Sequence, residues 1–270
     1  IPLISLYVLT AFKLMPHVNG IFVSIAKIKF NIKALDVVYN HFNKKEFFQK
    51  NIIVKRNKFS SIILQNVFFN FKDDDKQLLK NINFSINKGD FVFITGESGS
   101  GKSTLFEIIL GLIKPSSGKL VLNDSSIEDG ILSQYFKIGY VPQEIMLFEG
   151  TFKENIALFD KDPDVNNLNK IIKMTCLEDV VKSIGGIDGP IYENGKNLSH
   201  GQRQRVAIAR SLFNKPDILF FDESTSALDN ETEEIIMNNL INNYTIVLIS
   251  HNKSLKKYSN KSLILQNGSI

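Results

Sequence analysis

The sequence predicts an α/β protein in which helices cover both faces of a parallel sheet, with one long helix in front of that body. Three observations predict it. Short apolar runs at Phe91 to Thr95, Asp217 to Phe221 and Thr245 to Ile249 alternate with helix-period segments, and strands apolar on both faces belong to a sheet covered by helices. The first run leads directly into Gly96-Glu97-Ser98-Gly99-Ser100-Gly101-Lys102-Ser103-Thr104, a glycine-rich turn placed to open a helix. From Ile21 onward, by contrast, Ile25, Ile28, Ile32, Leu35, Tyr39 and Phe42 form one apolar seam with a period of about 3.5 residues.

Composition bounds the functions open to the chain. At 270 residues, 43% hydrophobic and 22% charged, it is long enough for one well-cored domain plus an appendage. The net charge of +4 comes from Lys and Arg scattered along the chain. Nucleic-acid binding usually needs a concentrated basic face, so nucleic acid is not expected as a partner; a nucleotide or an anionic membrane surface suits this charge equally well. The sole cysteine, Cys176, excludes an internal disulfide and reads as a small buried hydrophobe in a helix.

The appendage is N-terminal. Ile1 to Phe12 is almost wholly apolar until Lys13; taken alone it is shorter than the roughly 20 residues a bilayer span needs. It reads either as the tail of a membrane helix whose beginning is missing or as a buried core helix. Pro16 and Asn19-Gly20 are expected to kink the start of the long helix, and Lys27, Lys29 and Lys33 fit a helix leaving the bilayer on the cytoplasmic side. A soluble helical arm is the alternative. Asn43 to Lys58 reads as a linker.

Beyond the linker the elements come in order. Ser61 to Phe71 reads as a strand and its continuation, Asp73 to Lys76 as a charged turn, Ile82 to Ile86 as an alternating strand. Helical patterns cover Lys102 to Ile113, Asn166 to Ile184, Gln202 to Phe213 and Glu231 to Asn242, and a last strand covers Ser262 to Leu265. The ending at Gly268-Ser269-Ile270, directly after a strand, suggests a further C-terminal part.

Two motifs carry chemistry. In the phosphate loop, glycines let successive backbone N–H groups point inward, and the helix N-terminus adds the positive end of its dipole. Lys102 would reach the β- and γ-phosphates and the Ser103 hydroxyl would bind Mg²⁺. The strand Ile218-Leu219-Phe220-Phe221 ends in Asp222-Glu223, at the sheet edge where open α/β folds bind ligands. Asp222 would hold the Mg²⁺ shell and Glu223 would polarise the attacking water, which points to hydrolysis.

Leu198-Ser199-His200-Gly201-Gln202, followed by Arg203-Gln204-Arg205, resembles the LSGGQ signature of the ATP-binding cassette (ABC) transporters, and the likeness runs from about Ser60 to the end. That resemblance implies a P-loop (RecA-like) core with an antiparallel β subdomain and an α-helical signature subdomain at about residues 144–214. It implies ATP and Mg²⁺ as ligands and a head-to-tail dimer in which Ser199, Gly201 and Gln202 meet the γ-phosphate held by a second copy. Gln143, in Val141-Pro142-Gln143, resembles the Q-loop glutamine that binds Mg²⁺ and water. Asp229, in Ser226-Ala227-Leu228-Asp229, resembles the D-loop residue, and His251 the switch histidine. Phe71 stands where the family stacks an aromatic ring on adenine.

Leu147 to Ile156 and the Glu193/Gly195 pair are similar to segments of the exporter subclass, and the N-terminal helix is similar to the end of an exporter's last transmembrane helix. The implied protein is a membrane exporter, closest in feel to lipid-linked-oligosaccharide flippases, on the cytoplasmic face of the cell's inner membrane. Residues 1–50 would be the end of a transmembrane domain and linker, and 51–270 the ATP-binding domain. Its partners would be a second cassette, identical or from a related half-transporter, and the transmembrane domain of its own polypeptide. Rival readings are a soluble ABC ATPase of the DNA-repair or translation type and a regulatory module that does not turn over. One residue departs from the pattern: His200 replaces a signature glycine.

Overall fold

The computed structural model describes residues 2–43, 58–71, 77–123, 125–127, 131–158, 160 and 162–270, and it divides into two units, Ile1–Ile53 and Val54–Ile270. The turn expected at Asp73 to Lys76, and all of the expected linker but its two ends, lie outside the described residues.

The described residues of the first unit form one helix, α1 (Pro2–Asn43), of 42 residues. It continues through Pro16 and Asn19-Gly20 without interruption. Its side chains from Leu3 to Asn40 are exposed. Leu3–Asn40 is long and apolar enough to cross a membrane; at 1.5 Å per residue it exceeds the hydrocarbon thickness of about 30 Å. The Thr10 and Ser24 hydroxyls donate to the carbonyls of Leu6 and Gly20, one turn back, at 2.7 and 2.8 Å. Polar groups on an apolar helix are thereby satisfied within it.

The second unit opens with an antiparallel hairpin of β1 (Ser61–Phe69) and β2 (Leu79–Asn87). Next come β3 (Phe91–Gly96), α2 (Lys102–Ile109), β4 (Ser117–Leu122), β5 (Ser125–Ile127) and β6 (Ile138–Val141). A short pair, β7 (Gly150–Thr151) and β8 (Pro190–Ile191), encloses three helices: α3 (Phe152–Ala157), α4 (Val165–Met174) and α5 (Glu178–Ser183). The signature helix α6 (His200–Phe213), β9 (Ile218–Asp222), α7 (Asn230–Ile241), β10 (Thr245–Ile249) and β11 (Lys261–Leu265) complete it.

Two main sheets result: an antiparallel one in the order β2-β1-β4-β5, and a parallel one in the order β11-β3-β10-β9-β6. The three central parallel strands, β3, β10 and β9, are almost wholly apolar because both of their faces are covered. Phe91, Phe93, Leu219, Phe221, Ile246 and Leu248 pack with residues of α6 and α7. Their neighbours Val92, Ile94, Phe220, Val247 and Ile249 pack on α2 and the antiparallel sheet, and Phe220 meets Phe106 edge-on at 5.4 Å. Burying each such side chain stabilises the fold by about 1.5–3 kcal/mol. Parallel register then aligns the carboxyl ends: Ile249 lies opposite both Ile94 and Asp222.

One expected helix is two. Asn166 to Ile184 divides at Cys176, which has φ 54°, because α4 ends in a Schellman turn: Leu177 N–H donates to Ile172 O and Cys176 N–H to Lys173 O. Cys176 is accordingly half-buried and outside a helix. Buried Leu177 seals the turn.

Candidate active site

The phosphate loop joins β3 to α2. Gly101, at φ 98°, is the N-cap of α2, and the helix has neither a capping side chain nor an acidic residue in its first turn. Its first N–H groups are therefore left for a ligand. Lys102 is buried and folds back over the loop, donating from Nζ to Gly96 O and Glu97 O, both at 3.0 Å. Beside it the Ser100 hydroxyl is buried with no partner, which fits a cradle built for an anion's oxygens.

Ser98, Gly99, Gly101, Lys102, Ser103 and Thr104 line a cavity of about 430 Å³ together with Gln143, Glu223 and His251. Adjoining it through Leu78, Ser98 and Gly99 is a second of about 550 Å³, which holds Glu97, Ser100 and the half-exposed ring of Phe71. Phe71 stands edge-on to Phe69 at 5.1 Å. Lys80 and Asn267, absent from the sequence-based assignment, also line this second cavity.

Glu223 lines the first cavity. It takes the left-handed conformation, φ 49°, immediately after β9, while its N–H donates to Ile249 O at 3.0 Å. A non-glycine residue held there is strained, and such strain concentrates at functional sites. One carboxylate oxygen is 3.0 Å from His251 Nε2 and the other accepts from Gln143 Nε2 at 3.3 Å.

Asp222 faces the other way. Its Oδ2 accepts from the Tyr140 hydroxyl at 3.3 Å, and it lines a more apolar neighbouring cavity with Ser103 and Tyr140. Burial pushes the Asp222 carboxyl up, the Glu223 charge adds to this, and Tyr140 and Lys102 oppose it. Burial and the Asp222 charge push the Tyr140 phenol up to about 12, so it stays a proton donor. Tyr140 escaped the sequence reading. Its signal was its place in the strand entering Gln143, two pairing steps from Asp222 and so on the same sheet face: Tyr140 pairs with Phe220.

The donors Ser103, Gln143 and Asp222 are hard oxygens suited to Mg²⁺. With one hydroxyl, one amide oxygen and one carboxylate, this donor set fits an ion that keeps waters and shares phosphate oxygens rather than one held by an all-protein cage.

The remaining predicted residues lie elsewhere. Ser199 is the N-cap of α6, and its hydroxyl accepts from Gln202 N–H while the Gln202 side chain accepts from Ser199 N–H, at 3.2 and 2.8 Å. A Cβ on Gly201 would come within 2.8 Å of Ala227 O, so the glycine permits close approach of the loop at 226–229. Buried Gln204 accepts from Ala227 N–H at 3.0 Å and fastens the same loop. Asp229 is the N-cap of α7, and the Thr232 N–H it accepts holds its carboxyl below the usual range. His200 opens α6 with an exposed side chain. None of Ser199, Gly201, Gln202 or Asp229 lines the two cavities.

Comparison with known proteins points one way. A family model described as ABC transporter matches residues 79–226. The chain is 37% identical over 216 residues to the uncharacterized ABC transporter ATP-binding protein YfiB of Bacillus subtilis, covering 77% of this chain and 37% of that protein. It is 36% identical over 215 residues to the leukotoxin export ATP-binding protein LtxB of Aggregatibacter actinomycetemcomitans, covering 77% and 30%. Among solved structures, a bacterial Atm1-family ABC exporter with ATP bound matches with a TM-score of 0.71 and 32% identity, over 78% of this chain and 38% of that one. The chain thus spans between 30% and 37% of the length of these two relatives.

Proposed function

The chain belongs to the ABC transporter family and carries its ATPase domain, and from that premise we propose that Glu223 activates water against ATP held by the phosphate loop, driving an exporter. The observation that carries this reading is the placement of Glu223 between His251 and Gln143, on the cavity that Lys102 and Ser103 also line.

In this reading Gly96 to Thr104 bind the phosphates through loop N–H groups and Lys102, whose bonds to Gly96 O and Glu97 O are exchanged for phosphate oxygens. Phe71 offers its ring face to the base. Glu223 accepts a hydrogen bond from the attacking water, and His251 and Gln143 fix the carboxylate's direction. Ser103, Asp222 and Gln143 would hold Mg²⁺, which when bound neutralises charge building on the phosphate oxygens.

A second copy supplies Ser199, Gly201, Gln202 and Asp229. Support comes from their absence from the lining of both cavities of their own chain. The helix α1 supports residues 1–50 as part of a membrane domain and 51–270 as the ATP-binding domain at its cytoplasmic face, with the helical subdomain at about 144–214. It also disfavours a soluble ATPase of the DNA-repair or translation type. LtxB exports a leukotoxin by its name and the Atm1-family protein is an exporter. Neither favours flipping of a lipid-linked oligosaccharide, so the proposal stops at export.

Light scattering of Glu223→Gln protein with and without ATP and Mg²⁺, beside the parent's ATPase rate, tests the reading. Expected are turnover in the parent, its loss in the variant, and ATP-dependent association of the variant's cassettes. Undiminished turnover in Glu223→Gln would overturn the assignment.

A further inference from the structure

Among the described residues, Glu233 is the most deeply buried carboxylate that the hydrolysis reading leaves unused, with 3% of its surface exposed. It sits in the first turn of α7, where its N–H donates to Asp229 O at 2.9 Å. Its Oε2 accepts from Asn252 Nδ2 at 2.9 Å, while among the described residues buried Oε1 makes no hydrogen bond of ordinary length and angle, the Thr225 hydroxyl acting on the carboxyl more loosely. Burial pushes this carboxyl up, against the pull of the Thr225 hydroxyl and the Asn252 amide. A buried acid of this kind costs stability, so its retention in a tight core calls for a task.

That task is visible in what Asn252 holds. It comes directly after His251, its N–H donates to Ser250 Oγ at 3.0 Å, and its side-chain oxygen accepts from Ser254 N–H at 3.1 Å. Asn252 therefore organises residues 250–254, the loop that presents His251 to Glu223. Only its amide N–H₂ reaches outward, and it reaches Glu233. Resting on the roles given to Glu223 and His251 above, we propose that Glu233 is the positioning residue for His251, fastening the histidine loop to the first turn of α7. One consequence is mechanical: Asp229 caps α7, so a displacement of the Asp229 loop by a second copy is transmitted to His251 through the Glu233–Asn252 hydrogen bond, while the Lys257–Glu234 ion pair ties the following turn to the same helix.

Turnover kinetics of the full protein in detergent, with Glu233→Leu, Glu233→Gln and Asn252→Ala, test this. Loss of the link in Glu233→Leu or Asn252→Ala should lower kcat about tenfold and leave KM for ATP within about twofold, as misplacement of a catalytic group does. Glu233→Gln keeps an acceptor for Asn252 and should restore kcat to within about threefold of the parent. Amide hydrogen exchange should rise in residues 250–254 and stay unchanged in strand residues 245–249. Unchanged exchange at 250–254, or a Gln variant as slow as the Leu variant, would overturn the proposal. Glu223→Gln measured alongside separates the two failures: if it still turns over, the underlying reading falls, and if it is dead while the Glu233 and Asn252 variants match the parent, only the role of Glu233 falls.

Discussion

His251 Nε2 lies 3.0 Å from Glu223 Oε1, and neither side chain chose the other through proximity in sequence. The sheet brings them together. Parallel pairing of β10 with β9 sets Ile249 opposite Asp222, so Glu223, one residue on, and His251, two residues on, leave the same sheet edge from neighbouring strands. The backbone of Glu223 then turns to φ 49°, which aims its carboxylate at the phosphate cavity rather than along the strand.

The first prediction comes from that pair. His251→Ala frees one oxygen of Glu223 without touching the phosphate loop. Steady-state kinetics should show kcat reduced about 100-fold with KM for ATP little changed. An increase in KM with kcat retained would make His251 a nucleotide-binding group instead.

Asp222 and Tyr140 give the second. Asp222 is held above the ordinary carboxylate range by burial, and the proposed Mg²⁺ site needs it ionised. Lowering the pH through that raised value should therefore weaken Mg²⁺ dependence at a pH where an ordinary Asp is still charged. Because the Tyr140 hydroxyl stabilises the charged form, Tyr140→Phe should move this loss to higher pH. Mg²⁺ titrations of nucleotide binding at a series of pH values, read with a fluorescent ATP analogue, would decide it. Superimposable series for the two proteins would contradict it.

Much of this site is legible in the sequence because its residues come directly after strand ends. Continuous apolar runs such as Phe91 to Ile94 and Ile218 to Phe221 can be read as buried parallel strands, and the residues just beyond them must sit at one sheet edge. Short elements escape that logic. The helix Phe152–Ala157 is six residues long and is set by a capping box between Thr151 and Glu154 rather than by periodicity. Strands β4 and β5 are half-exposed or edge pieces of the antiparallel sheet. Cys176 stands where a helix C-terminus ordinarily has glycine, so the end of α4 had no signal. Tyr140 and Gln204 act through long-range contacts, to Asp222 and to Ala227, that no local spacing announces.

The third prediction concerns His200, the departure from the signature pattern. Its side chain is exposed, and the capping box that shapes the start of α6 is made by Ser199 and Gln202 alone. His200→Gly should change the ATPase rate by less than about threefold, and the pH profiles of variant and parent should coincide. A profile that flattens near neutral pH on replacing the histidine would assign it an electrostatic role at the partner's phosphate.

A fourth prediction tests the frame that holds the strands in register. Asp90 is buried at the turn between β2 and β3, and three donors converge on it: Asn87 N–H at 2.6 Å, Asn260 Nδ2 at 2.8 Å and Lys261 Nζ at 2.7 Å. Lys261 also donates to Ser85 O at 2.9 Å, so one ion pair joins β2, β3 and β11. Burial alone would raise the Asp90 carboxyl, but Lys261 and the two asparagines outweigh it and hold it below its usual value of 3.8. A carboxylate with a depressed folded-state value contributes stability that is full above 3.8 and is lost as the pH falls through the lower value. Asp90→Asn removes the charge and leaves Lys261 without its counter-ion, and should destabilise the domain by about 3 kcal/mol at neutral pH. The difference should shrink toward zero as the parent's own Asp90 becomes protonated. Thermal unfolding of both proteins at neutral pH and near pH 3 would measure it, and a gap that stays constant across that range would mean that shape rather than charge holds this corner of the fold.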